Sequence, residues 1–216
     1  MALDERGRAG FRLVTPAGSA DTRLRLVGEH QVHNALAVAA VALELGFTPE
    51  RVATALSGVA AGSRWRMEVA ERTDGVTVIN DAYNANPESM RAALGALSAI
   101  SGGTRRRWAV LGPMAELGDI TDAAHAEVGA LAGELGVQCL LGVGTAGYSA
   151  GYDSYVRSRS CGEDSMVVPD VAAALDMLRA RLRPDDVVLV KASRAAGLER
   201  VAAGLLSGPY SGEEGR

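Results

Sequence analysis

Apolar and polar positions alternate along residues 11–15 and again along 22–27, with Ala17-Gly18-Ser19 between the two runs. Period-two alternation around a small, glycine-containing turn predicts a hairpin with one exposed face. After Gly28-Glu29-His30 the period becomes helical over residues 34–45, where Gly46 supplies the stop. A second helix is predicted over 49–56, with Pro49 placed for a first turn. From Trp65 onward short apolar runs and helical patterns take turns. Strands are predicted at 66–70, 76–79, 108–111, 138–143, 165–168 and 187–191, and helices at 88–100, 122–135, 171–182 and 197–206. Residues 148–160 do not read as a helix. The alternation predicts an α/β fold whose mostly parallel sheet is covered on both faces.

Two strands and two helices are too little to bury a core alone. Residues 1–62 are therefore expected to be the helical and hairpin end of a larger domain that is truncated here, with small residues at 58–62 as a hinge. Residues 63–206 form the second domain, and the Gly/Ser/Glu-rich stretch 207–216 reads as a disordered tail.

Composition narrows the partners. With 48% hydrophobic residues but only 4% aromatic, the core must be built from Ala, Val and Leu, which suits parallel strands under closely packed helices. A net charge of −4 gives no basic surplus for nucleic acid. Cys139 and Cys161 make neither a disulfide framework nor a metal spacing. The amino terminus lacks the apolar core of a signal peptide, and no run approaches the ~20 apolar residues of a membrane span. The expected setting is the cytoplasm.

The densest chemistry lies in Asn80-Asp81-Ala82-Tyr83-Asn84-Ala85-Asn86-Pro87, an acid, a phenol and three carboxamides between a predicted strand and a predicted helix. Open α/β sheets hold ligands at this carboxyl edge, so the run is expected to line a ligand site. Val188-Leu189-Val190-Lys191-Ala192-Ser193-Arg194 repeats the arrangement, ending a buried strand with Lys191, Ser193 and Arg194. Leu111-Gly112-Pro113-Met114-Ala115-Glu116-Leu117-Gly118 does so with a glycine-bounded loop ahead of His125. In Gly28-Glu29-His30-Gln31-Val32-His33-Asn34, Gln31 and Asn34 share one face of a helix's first turn, where they either cap the helix or meet an anion. His30 and His33 lack a further ligand, and no metal site is expected. Arg66 either grips phosphate with its planar fork or makes a surface ion pair.

Gly142-Val143-Gly144-Thr145-Ala146-Gly147 fits the dinucleotide spacing G-x-G-x-x-G, but it lies deep in the alternation with no helix expected after it, so nicotinamide is set aside. The phosphate loop G-x-x-x-x-G-K-[ST] does not occur in the sequence.

Together the segments G-E-H-Q-V-H-N-A-L-A, R-M-E-V, N-D-A-Y-N-A-N-P-E-S-M, L-G-P-M-A-E-L-G and V-L-V-K-A-S-R resemble the Mur ligases of peptidoglycan synthesis. The D-A-Y-N-A-N-P run is most similar to the branch that joins D-alanyl-D-alanine to UDP-N-acetylmuramoyl-tripeptide. The resemblance implies the end of a central ATPase domain followed by a Rossmann-like carboxyl-terminal domain. It implies an ADP-forming amide ligase that uses ATP and Mg²⁺. ATP phosphorylates the tripeptide carboxylate, and the dipeptide amine attacks the acyl phosphate. By the same resemblance Asn34 faces adenine, Gln31 also belongs to the nucleotide site, Asp81 meets the ribose, and Arg66 the terminal phosphate. Tyr83, Asn84 and Asn86 line the site, with Lys191, Ser193 and Arg194 at its substrate end. The protein is expected to be a monomer without metal ligands of its own, and inactive alone because the phosphate loop is missing. Gln31, Pro113 and Ala192 depart from the family, which usually has asparagine, an acid and glycine there. The alternatives are a sister ligase of the folylpolyglutamate or cyanophycin type and a non-catalytic binding module.

Overall fold

The computed structural model describes residues 1–5, 7–59, 64–159, 163 and 165–207. Most of the hinge expected at 58–62, the boundary at 62/63, Cys161 and the tail beyond Ser207 lie outside these residues. The chain divides into two compact units, Met1–Arg64 and Trp65–Arg216.

The first unit is a three-stranded antiparallel sheet carrying two helices. β1 (Ala2–Leu3), unforeseen because two residues show no period, pairs with β2 (Arg8–Thr15), which forms the expected hairpin with β3 (Gly18–Val27). Gly18 takes φ +136° at the turn, where Thr15 Oγ donates to its carbonyl at 2.9 Å. Helix α1 (His30–Glu44) begins one turn earlier than the sequence suggests. Its N-cap is Glu29, in helical conformation and without a side-chain cap, so no capping residue signals the start. Helix α2 (Pro49–Gly58) is signalled: Thr48 accepts the Arg51 N–H, and Pro49 sits at the first helical position. Leu13, Leu24, Val32, Ala35, Val52 and Leu56 meet in the core of this unit.

The second unit runs β4 (Glu68–Glu71), β5 (Thr77–Asn80), α3 (Pro87–Ile100), β6 (Arg107–Leu111), α4 (Thr121–Glu134), β7 (Cys139–Val143), α5 (Ser149–Arg159), β8 (Met166–Val168), α6 (Val171–Arg181), β9 (Val187–Lys191) and α7 (Glu199–Ser207). The sheet order is β4-β5-β9-β6-β7-β8, parallel throughout except for the antiparallel edge strand β4. Strands β5, β6, β7 and β9 are buried along their whole lengths, which explains the apolar stretches 78–79, 108–111, 139–143 and 187–190 within them. Val78, Val110, Val188 and Val190 pack with Leu178 of α6 and Val201 of α7. Because β9, the last strand, lies between β5 and β6, the loops leaving these three strands emerge side by side at the carboxyl edge.

Helix α5 corrects the reading of 148–160 as non-helical. Its sequence, SAGYDSYVRSR, has little apolar character, and tertiary packing forms it. Tyr152 and Val156 are buried, and Tyr152 donates its hydroxyl to the Val137 carbonyl at 2.9 Å. A Cβ at Gly151 would run into the backbone of Ala126, and one at Gly129 into that of Tyr148, so α4 and α5 meet backbone to backbone. Two of the dinucleotide-like glycines are required by close packing, one within its own loop and one against α4. A Cβ at Gly142 would strike the Thr145 carbonyl, and one at Gly147 would come within 2.8 Å of His125 Cβ.

Candidate functional site

β5 delivers the polar run to the edge of the sheet. Asp81 N–H still bonds the Val190 carbonyl at 2.9 Å, extending the ladder one residue past the strand. Its carboxylate then serves two partners: Oδ1 accepts the Met67 N–H at 3.0 Å, and Oδ2 accepts Lys191 Nζ at 2.5 Å. Lys191 Nζ also donates to the Asn84 carbonyl at 2.8 Å. The lysine side chain is 2% exposed and the aspartate 13%, so this ion pair is withdrawn from water. Burial pushes the Lys191 ammonium below the ordinary lysine range; the charge and hydrogen bond of Asp81 pull it back up, and nearby Arg66 opposes them.

Beside this pair, the Trp65–Met67 segment turns back over the run. Strand β4 starts at Glu68, so Arg66 sits in a turn rather than opening the strand as the sequence suggests. Trp65 and Met67 adopt φ +63° and +48°, left-handed conformations that side-chain-bearing residues rarely take. The Trp65 carbonyl accepts the Tyr83 N–H at 3.1 Å. The Arg66 guanidinium rests 4.2 Å from the centre of the Tyr83 ring, and Arg194 lies 5.4 Å from that ring and 5.2 Å from Trp65. Both arginines are exposed, and neither has a carboxylate partner among the described residues. Two exposed cations that share an aromatic ring without an ion-pair partner leave guanidinium N–H groups able to meet an anion.

The loop after β6 is pinned residue by residue. Gly112 N–H bonds the Lys191 carbonyl at 2.9 Å, and the Pro113 carbonyl accepts Ser193 N–H at 3.1 Å. Met114 N–H bonds His125 Nε2 at 3.0 Å, and Ala115 N–H bonds Ser193 Oγ at 2.8 Å. Since Nε2 accepts, the His125 ring proton is on Nδ1, which faces the Thr121 carbonyl at 2.7 Å. Pro113 joins this network through its carbonyl, so the missing N–H leaves no gap. Ala192 is buried without a positive φ, and alanine fits there; a Cβ at Gly112 would instead meet the Ala192 methyl at 2.7 Å.

The structure thus brings together Arg66, Asp81, Tyr83, Asn84, Lys191, Ser193 and Arg194. It divides them by what they face. Lys191 and Ser193 are buried and turned to protein partners, Ser193 Oγ also lying 3.4 Å from the Ala85 carbonyl. Asn86 is the N-cap of α3, its side chain accepting Ser89 N–H at 2.8 Å in a reciprocal capping box. Asn84 is exposed, with its side-chain oxygen on the Ala85 N–H at 2.9 Å. In the first unit, Asn34 donates to Gln31 at 3.1 Å, and Gln31 lies 3.0 Å from His30 Nε2, a row of polar groups on the first turn of α1. Sequence reasoning did not single out Trp65, although an aromatic residue between Arg64 and Arg66 was its signal. Among the described residues no three His, Cys, Asp or Glu side chains gather to hold a metal.

A model of the Mur ligase, glutamate ligase domain, matches residues 65–194. A Mycobacterium tuberculosis protein named UDP-N-acetylmuramoyl-tripeptide–D-alanyl-D-alanine ligase is 49% identical over 96% of this chain and 44% of its own length. The Escherichia coli protein of the same name is 35% identical over 90% of this chain and 41% of its own. MurF from Acinetobacter baumannii superposes with a TM-score of 0.80 at 29% identity, covering 96% of this chain and 44% of that one. The fold is also that of Thermotoga maritima MurF in complex with ADP, at a TM-score of 0.73 and 24% identity. The chain therefore spans less than half the length of these relatives.

Proposed function

This chain belongs to the Mur ligase family, and from that membership we propose that it carries part of an ADP-forming amide ligase adding D-alanyl-D-alanine to UDP-N-acetylmuramoyl-tripeptide. The observation that carries the reading is the pair of arginines without acid partners over Tyr83, within the run D-A-Y-N-A-N-P.

In the first step a carboxylate oxygen attacks the terminal phosphorus of ATP, forming an acyl phosphate as ADP leaves. In the second the dipeptide amine attacks the acyl carbon and phosphate leaves, the amine proton passing to solvent. Negative charge spreads over the phosphoryl oxygens in transit, and a guanidinium placed there stabilises the transition state. Arg66 takes that role. Arg194, Tyr83 and Asn84 meet the incoming dipeptide. The lone pairs of Asp81 beyond those used by Met67 and Lys191 take ribose hydroxyls. Asn86, Lys191 and Ser193 hold the loops in place. Mg²⁺ that travels with ATP is held by the phosphates and one or two carboxylates, and no residue of this chain is assigned to it. The sequence contains no phosphate loop, so the grip on the triphosphate is assigned to other residues than these. No helix among the described residues is long and apolar enough to cross a membrane. The nucleotide substrates place the reaction in the cytoplasm, with the chain a monomer and no nucleic acid as partner.

Calorimetric titration of the chain with ADP and, separately, with D-alanyl-D-alanine tests the reading. Saturable binding of both is expected, with no phosphate released when ATP, Mg²⁺, the UDP-linked tripeptide and the dipeptide are all supplied. Absence of binding by either ligand at millimolar concentration would end the proposal.

A further inference from the structure

Lys191 occupies the last position of β9, and its ammonium is committed to two acceptors inside the protein, Asp81 Oδ2 and the Asn84 carbonyl. At 2% exposure it does not present itself to a ligand. Asp81 relays the contact, because its other oxygen holds the Met67 N–H. Met67 and Trp65 both have positive φ, a strained state that persists only where surrounding bonds over-determine it. Two such bonds are present, Met67 N–H to Asp81 and Tyr83 N–H to the Trp65 carbonyl. Arg66 lies between the two strained residues, its guanidinium seated on Tyr83.

We propose that Lys191 is a positioning residue for Arg66: through Asp81 it holds the strained turn at residues 65–67 and so fixes where the guanidinium is presented to an anionic ligand. The proposal rests on the reading of Arg66 as the group that meets the phosphoryl oxygens. A buried cation kept only for stability would leave Arg66 in place when the pair is replaced by neutral groups of similar shape. A positioning cation would not. The relay joins residues on two parallel strands and the edge of a third, and removing either charge alone orphans the other in a dry site.

The experiment uses Lys191→Met and the neutral pair Lys191→Met with Asp81→Asn, each with and without Arg66→Ala. The double replacement leaves no orphaned charge and is the variant that decides if the single one fails to fold. Two quantities are read: exchange of the Met67 amide hydrogen by NMR, and affinity for ADP by calorimetry. The expected result is exchange at Met67 accelerated at least about tenfold, ADP affinity lowered about tenfold, and no further loss when Arg66→Ala is added. Wild-type protection at Met67, or losses from the Lys191 and Arg66 changes that add in full, would overturn the proposal. If the wild-type chain binds no ADP, the functional reading fails by itself. The positioning role is then judged on Met67 exchange and on the Arg66 Nε–H resonance. A resonance that moves out of the Tyr83 ring current in the neutral pair supports it, and an unmoved one overturns it.

Discussion

Tyr148 donates its hydroxyl to the Gly112 carbonyl across 2.6 Å, joining the residue before α5 to the first residue of the loop that leaves β6. Both are buried, and burial drives the Tyr148 hydroxyl far above the ordinary tyrosine range. An acid whose folded value is raised contributes stability that is complete below the unfolded value and disappears as pH climbs toward the folded one. Cys139, also pushed up by burial, begins the same loss in the ordinary thiol range. Lys191 works against them: held below the ordinary lysine range, it makes folding more favourable as pH rises between its folded and unfolded values. Urea unfolding of wild type and Tyr148→Phe from neutral pH to about pH 11.5, beyond the ordinary tyrosine value, separates these contributions. The variant is expected to lose about 1–3 kcal/mol at neutral pH, from the unpaired carbonyl, and to decline less steeply in alkali. Equal alkaline slopes would refute the assignment to Tyr148.

Two glycine-to-alanine changes should move stability in opposite directions. At Gly151 an added methyl meets the Ala126 carbonyl and the Ala130 nitrogen, backbone atoms that cannot swing aside. At Gly95, inside α3, nothing lies within 4 Å of the added carbon and φ is negative. Gly151→Ala is therefore expected to cost about 1–3 kcal/mol or more through overpacking, and Gly95→Ala to add about 0.5–1 kcal/mol by restricting the unfolded chain. Thermal denaturation of both variants checks the pair. A Gly151 variant as stable as wild type would mean that α4 and α5 do not meet at their backbones.

Much of the fold was legible because local chemistry agreed with it. Asn86-Pro87 and Thr48-Pro49 announce the starts of α3 and α2 with a cap and a proline, and β6 and β9 contain the apolar runs 108–111 and 187–190. Helix α5 was illegible because its stability comes from glycines on two helices and from Tyr148 and Tyr152, a tertiary fact with no periodic trace. The place of β9 between β5 and β6 also leaves no local mark. At the site, residue types revealed which stretches gather, but not what each side chain faces. Asp81 and Lys191 looked like two ligand groups, and across 110 residues of sequence nothing showed that they bind each other.

Asn86 has a visible structural duty as the N-cap of α3, and graded substitution tests it. Serine and aspartate can accept the Ser89 N–H as asparagine does, whereas alanine cannot. Asn86→Ala is expected to cost about 1 kcal/mol, and Asn86→Ser and Asn86→Asp only a few tenths. Chemical denaturation gives the ranking. If all three lose the same stability, the cap seen at α3 is not what holds the helix start.

Arg66 and Arg194 should show the reverse signature, little effect on stability and a large one on binding. Both are exposed and make ring contacts without an ion pair among the described residues, so replacing either by alanine is expected to cost less than about 1 kcal/mol of stability. A guanidinium bonded to an anionic oxygen contributes more than a ring contact does, and loss of either is expected to weaken ADP or dipeptide binding by about tenfold. The remaining affinity should also depend less on salt, because one of two exposed cations has gone. Lysine at position 194 retains the charge but not the planar group beside Trp65 and Tyr83, so Arg194→Lys should restore salt dependence while recovering only part of the affinity. Calorimetric titrations at low and high ionic strength measure both effects. Variants that lose several kcal/mol of stability yet bind as wild type would make the arginine pair a structural element and remove the anion receptor.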